Sequence, residues 1–190
     1  MDKNSALNDL AKEIVKNNVC ADLAIGAEQL VMGSGSFDAD IMLVGEAPGK
    51  KEDETGLPFV GSAGKFLDQM LSEAGMTRDQ VYITNIVKYR PPDNRDPTMA
   101  EKAEFWPYLV RQIEIIQPRA ILTLGRHSGK AFLPYLEISR DHGQPQLVTI
   151  NNHDYTVVPL YHPAAALYNG SLRQTLIEDF IKTLNHVEDL

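Results

Sequence analysis

The feature that most constrains this chain is the apolar run Ile41-Met42-Leu43-Val44, which stops abruptly at Gly45. A half-exposed strand would alternate apolar and polar residues. An unbroken short run closed by glycine fits instead a parallel strand covered on both faces. The pattern recurs three times. Val81-Tyr82-Ile83-Thr84 stops at Asn85, Ala120-Ile121-Leu122-Thr123-Leu124 stops at Gly125, and Tyr155-Thr156-Val157-Val158-Pro159-Leu160 leads into His162. Helical spacing fills the intervals: Ala6, Leu7, Leu10, Ile14 and Val15 within residues 4–17, and Phe66, Leu67, Met70 and Leu71 closing near Gly75. Further helices are expected from Thr98 to Pro118, from His127 to Phe132 and from Leu172 to Val187, the first opened by a Thr98/Glu101 capping box. Gly33-Ser34-Gly35 reads as a chain break, and residues 136–150 as a small hairpin or an irregular excursion.

Strands alternating with helices predict an α/β fold: a single domain of three αβα layers around a central four-stranded parallel sheet. The N-terminal helix covers about residues 4–17 and the core about 20–187. In such a sheet, ligands bind beyond the carboxyl ends of the strands. Four segments fall there: Gly45-Glu46-Ala47-Pro48-Gly49, Asn85 with its following loop, Gly125-Arg126-His127, and His162-Pro163-Ala164. Two glycines and a proline after a buried strand give a tight turn whose N–H groups can face a ligand. Glu46 at a sheet mouth is costly unless solvated or used. The Asn85 amide offers the donors and acceptor that suit a pyrimidine edge, although an asparagine there can equally cap local backbone. A lone histidine such as His162 is also common as a structural residue.

Composition excludes several classes. No stretch approaches the roughly 18 apolar residues of a membrane span, and Asp2, Lys3, Asn8 and Asp9 interrupt the start, so a cytoplasmic protein is expected. Cys20, the only cysteine, can form no internal disulfide and cannot alone hold zinc or an iron–sulfur cluster. A net charge of −8 argues against a sequence-blind DNA coat, yet residues 86–130 carry eight Lys/Arg against five Asp/Glu. Local charge within a screening length of about 8–10 Å leaves room for a small footprint on DNA.

Taken in order, Gly45-Glu46-Ala47-Pro48-Gly49, Gly56-Leu57-Pro58-Phe59-Val60-Gly61, Tyr82-Ile83-Thr84-Asn85, the Pro-rich stretch Lys88 to Pro97 and His162-Pro163 resemble the family 4 uracil-DNA glycosylases over about residues 20–185. The resemblance implies an enzyme that flips uracil out of single- or double-stranded DNA and hydrolyses its N-glycosidic bond. It implies that Phe59 stacks on the base, that Asn85 reads its edge, and that His162 donates to uracil O2 as charge develops there. Glu46 is expected to orient water or balance the sugar cation, with Gly45, Ala47 and Glu52 lining the pocket. Arg90, Arg95 and Arg126 are expected at phosphates, and Leu167 as a wedge in the base stack. Such enzymes usually hold a [4Fe–4S] cluster on four cysteines. Here the matching positions fall near Asn18 and Ala21, at Tyr89 and near Phe105. No cluster and no other metal or cofactor is therefore expected, with Tyr89, Phe105 and Trp106 filling the volume, in a chain that works as a monomer. Two alternatives stay open: a glycosylase with shifted base choice (hypoxanthine or xanthine), and a binding protein that has lost catalysis.

Overall fold

A computed structural model describes residues 2–188. Helices α1 (Lys3–Lys16) and α2 (Ala21–Gly26) precede an edge strand β1 (Ser34–Gly35) and the first buried strand β2 (Ile41–Gly45). Then come α3 (Lys50–Thr55), α4 (Ser62–Glu73), β3 (Tyr82–Asn85), α5 (Met99–Ile116), β4 (Ala120–Leu124), α6 (Arg126–Phe132) and α7 (Ile138–Asp141). The chain closes with β5 (Gln146–Ile150), β6 (His153–Leu160), α8 (Ala165–Tyr168) and α9 (Gly170–Glu188).

The sheet runs β1-β3-β2-β4-β6-β5. Its four inner strands are the parallel strands expected from the apolar runs, in the registers Leu43↔Ile83, Leu43↔Leu122 and Leu122↔Val158. Two antiparallel edge strands correct the expected count of four to six. Gly33-Ser34-Gly35 is less a break than a short edge, where Ser34 pairs with Ile83. Residues 146–150 form a true hairpin with β6, turned by Asn151 and Asn152, both at positive φ. That is the backbone a tight hairpin turn demands, and asparagine tolerates it better than most residues.

Period-2 alternation sorts each inner strand between two cores. Met42, Val44, Tyr82, Ile121 and Val157 pack against α1, α2, α5 and α6. Ile41, Leu43, Ile83, Leu122, Val158 and Leu160 pack against α4, α8 and α9. Strands β2, β3 and β4 are buried throughout and β6 over Val157–Leu160, which is why they read as continuous apolar runs. Thr98 caps α5 in the expected box, accepting from the Glu101 N–H at 3.2 Å while the Glu101 carboxylate accepts from the Thr98 N–H at 2.7 Å. Among the described residues no helix is long and apolar enough to cross a membrane.

Candidate active site

The carboxyl ends of β2, β3 and β6 open on a cleft of about 710 Å³. Ala47, Glu52, Phe59, Asn85 and His162 line it, together with Lys50, Lys51, Asn94 and Tyr168. Its floor is Gly45. A Cβ built there would lie 2.3 Å from Asn85 Oδ1 and 2.6 Å from Phe59 Cζ, so amide and ring both close directly onto bare backbone. Only glycine permits that approach. The Phe59 and His162 rings lie 5.9 Å apart between centroids and 32° from coplanar. The three residues singled out at separate strand ends and loops therefore share one cleft.

Phe59 sits there at a cost. Its φ of 52° is left-handed, unusual for a bulky residue. Two groups hold it. Glu52 Oε1 accepts from the Val60 and Gly61 N–H groups at 2.8 and 2.9 Å. The Arg78 guanidinium, paired with Asp68, donates to the carbonyls of Pro58 at 3.0 Å and of Phe59. Gly64 completes the clamp, since a Cβ there would overlap the Phe59 carbonyl. Glu52, expected as a pocket residue, lines the cleft while its carboxylate pins the loop that presents the ring.

His162 carries the clearest chemical statement. Its Nδ1 accepts from the Ala164 N–H at 3.1 Å, which assigns the proton of the neutral ring to Nε2. Burial, with the nearby His127 adding to it, lowers the imidazole below its ordinary value of 6.5. Near neutral pH the ring is thus an uncharged Nε2–H donor at the cleft wall. A Cβ built on Gly125, at φ +100°, would lie 3.0 Å from the His162 Cβ, so glycine leaves the His162 ring its room.

Glu46 lies apart from these side chains. Its carboxylate pairs with Lys102 on α5 at 2.7 Å and lies 3.7 Å from His127 Nδ1, and it is not among the residues lining the cleft. Glu46, Asp96 and His127 offer ligand atoms within 4.8 Å of one another. With the Lys102 ammonium already on Glu46, that group reads as an ion-pair network and not as a metal site.

The expected phosphate contacts divide. Arg126 is exposed at the start of α6. Arg90 donates to Asn94 Oδ1 at 2.7 Å, and Arg95 is held by the Glu101 carboxylate at 2.6 and 2.9 Å. These two arginines stiffen the Pro-rich loop. Leu167, 43% exposed on α8, stands beside Tyr168, which is 90% exposed. Lys50 and Lys51, unassigned from sequence, project at the cleft from the start of α3. Their adjacency to Pro48-Gly49 was the signal. Arg78 had none, because its partners are backbone carbonyls of a distant loop.

The residues at the expected cluster positions do not fit an iron–sulfur group. Tyr89 and Phe105 meet edge to face at 5.9 Å and pack with Val19 and Cys20 in the core. The Cys20 thiol is directed at the Glu101 carbonyl at 3.6 Å. Burial, then the Glu104 carboxylate, pushes its pKa up to about 12, whereas ligation needs a thiolate. Trp106 packs against Phe132 at 5.1 Å and so supports α6.

Sequence comparison places these features in context. The profile of the Uracil DNA glycosylase superfamily matches residues 32–185. A Type-4 uracil-DNA glycosylase of Sulfurisphaera tokodaii is 51% identical over 158 residues, covering 80% of this chain and 72% of its own. Type-4 uracil-DNA glycosylases of Archaeoglobus fulgidus and Saccharolobus solfataricus are 43% and 45% identical, each over 93% of this chain and over 91% and 84% of their own.

Proposed function

The chain belongs to the uracil DNA glycosylase superfamily, and from that premise we infer that it excises uracil from DNA, hydrolysing the N1–C1′ bond to leave an abasic site. The observation that carries this reading is the neutral Nε2–H tautomer of His162 in one cleft with Phe59 and Asn85. A base flipped from the helix costs a few kcal/mol of unstacking. In the cleft its face meets Phe59 and its edge the Asn85 amide. As the bond lengthens, the sugar gains oxocarbenium character and negative charge collects on the uracil oxygens. The His162 donor then interacts more strongly with the transition state than with the bound substrate, and that difference lowers the barrier. Water adds to C1′, and the uracil anion takes up a proton after departure.

Glu46 has the secondary role of offsetting charge on the sugar. Its contact with Lys102 at 2.7 Å cancels part of its field, so its share is smaller than that of His162. Gly45 and Ala47 bring bare backbone to the base. Lys50, Lys51 and Arg126 meet phosphates, and Leu167 enters the gap left by the flipped nucleotide. The reaction proceeds without an iron–sulfur cluster, the Tyr89–Phe105 contact supplying the packing, in a cytoplasmic monomer acting on single- or double-stranded substrate.

Oligonucleotides carrying a single uracil, treated with the protein and then with hot alkali, should be cut at that position. Parallel substrates with hypoxanthine or xanthine should remain intact. An intact uracil strand would end the glycosylase reading, and cleavage confined to a purine analogue would move the substrate. The active protein should contain no iron by elemental analysis.

A further inference from the structure

The most anomalous side chain outside the cleft lies directly beneath it. Lys88 is fully buried, and every group its ammonium touches is uncharged. Its Nζ donates to Thr84 Oγ1 at 2.7 Å, to the Asn85 carbonyl at 2.5 Å and to Gln112 Oε1. Burial alone pushes its pKa well below the lysine range. Opposing that, three N–H bonds meet three acceptors, the full complement of an ammonium.

The acceptors are themselves fixed. Thr84 Oγ1 donates to the Met32 carbonyl at 2.7 Å. Gln112 Nε2 donates to the same carbonyl at 2.9 Å and to the Tyr82 hydroxyl at 3.1 Å. Lys88 therefore ties α5 and the segment before β1 to the last residue of β3. That residue is Asn85. Its side chain is wedged against Gly45 on the cleft side, while its carbonyl is gripped from the other face of the sheet. On the β2 side Asn85 stays in register with Gly45, and the Ile86 and Val87 N–H groups bond the Gly45 and Glu46 carbonyls at 3.0 Å. The Lys88 bond thus fixes the Asn85 carbonyl in a backbone already held there, and an amide that reads a base tolerates little rotation.

We propose that Lys88 is a positioning residue for base recognition, its buried ammonium locking the Asn85 backbone so that the amide meets the uracil edge in one orientation. The proposal rests on the uracil reading of the cleft and assigns a task to a lysine that a merely well-packed core would not need.

The test compares wild type with Lys88→Met and with Thr84→Val, which keeps the lysine but removes one acceptor. Four quantities are read: the melting temperature, the affinity for uracil-containing DNA, the single-turnover excision rate at saturating protein, and inhibition by free uracil. For folded Lys88→Met the rate should fall at least tenfold and the uracil inhibition constant rise at least fivefold, with DNA affinity within twofold. Thr84→Val should shift the same two quantities in the same direction by about threefold. A purely structural lysine would lower the melting temperature and leave rate and uracil inhibition per folded molecule unchanged, and that result overturns the proposal. If Lys88→Met does not fold, Thr84→Val decides alone, and wild-type values in it overturn the proposal. A wild type that releases no uracil would instead refute the glycosylase reading itself.

Discussion

At the scale of single residues, the tautomer of His162 separates a reagent from a ring that merely fills space. Its Nδ1 is committed to the Ala164 N–H, and burial keeps the ring neutral below its ordinary value of 6.5. A histidine with a pKa depressed below 6.5 is mostly neutral at and above that pH and takes up its proton chiefly on the acid side of it. Protonation at Nδ1 removes the acceptor that orients the ring. The single-turnover rate should therefore stay level from pH 8 to 6.5 and decline only on the acid side. A decline already in progress at pH 7.5 would contradict the assignment. His162→Ala should lose about 10²- to 10³-fold in rate, the usual cost of removing one donor to a developing oxyanion. Its affinity for uracil-containing DNA should change by less than about threefold, and equal losses in both would mean that the contact is not specific to the transition state. Sequence placed His162, Phe59 and Asn85 correctly at strand ends and loop positions, but it could not supply the tautomer. That depends on a backbone N–H two residues on.

Elements show why some of the site was legible and some was not. The buried strands announce themselves as apolar runs because α helices cover both faces, and the cleft lies beyond their ends for the same reason. Edge strands β1 and β5 were harder to read. Ser34–Gly35 is too short for any period, and β5 alternates between half-buried and exposed residues. The loop carrying Phe59 is the clearest case of hidden support. Its left-handed φ is maintained by Glu52 and Arg78, drawn from α3 and from the turn before β3. Arg78→Met should free the Pro58 and Phe59 carbonyls while keeping the aliphatic stem. Its pair with Asp68 is partly exposed and worth little, so the melting temperature should drop by only a few degrees. Excision efficiency should fall about tenfold, equivalent to about 1.4 kcal/mol of transition-state stabilisation. A melting loss without a kinetic one would show that the clamp serves the fold and not the ring.

For the whole molecule the governing quantity is charge. With −8 overall, long-range attraction to a polyanion is absent, and binding must come from the few cations near the cleft. Arg95 is engaged by Glu101, and Lys102 by Glu46. Among the described residues, Lys50 and Lys51 at the cleft, Lys50 only loosely paired with Glu54 at 3.8 Å, and the exposed Arg126 at the start of α6 remain to meet phosphates. Each phosphate neutralised on duplex DNA contributes about −0.9 to the slope of log affinity against log salt. Three such contacts predict a slope of about −2.7, shallow for a DNA-binding protein. Replacing Lys50 and Lys51 together by Gln should flatten it to about −1 and weaken binding at low salt far more than at high salt. The rate at saturating protein should hardly change, because neither lysine touches the base-reading set of Phe59, Asn85 and His162. A wild-type slope steeper than about −5 would demand cations that this surface does not offer near the cleft, and would place the main DNA contact elsewhere on the molecule. An unchanged slope in the double variant would remove Lys50 and Lys51 from the footprint and leave Arg126 and its neighbours on α6 to carry it.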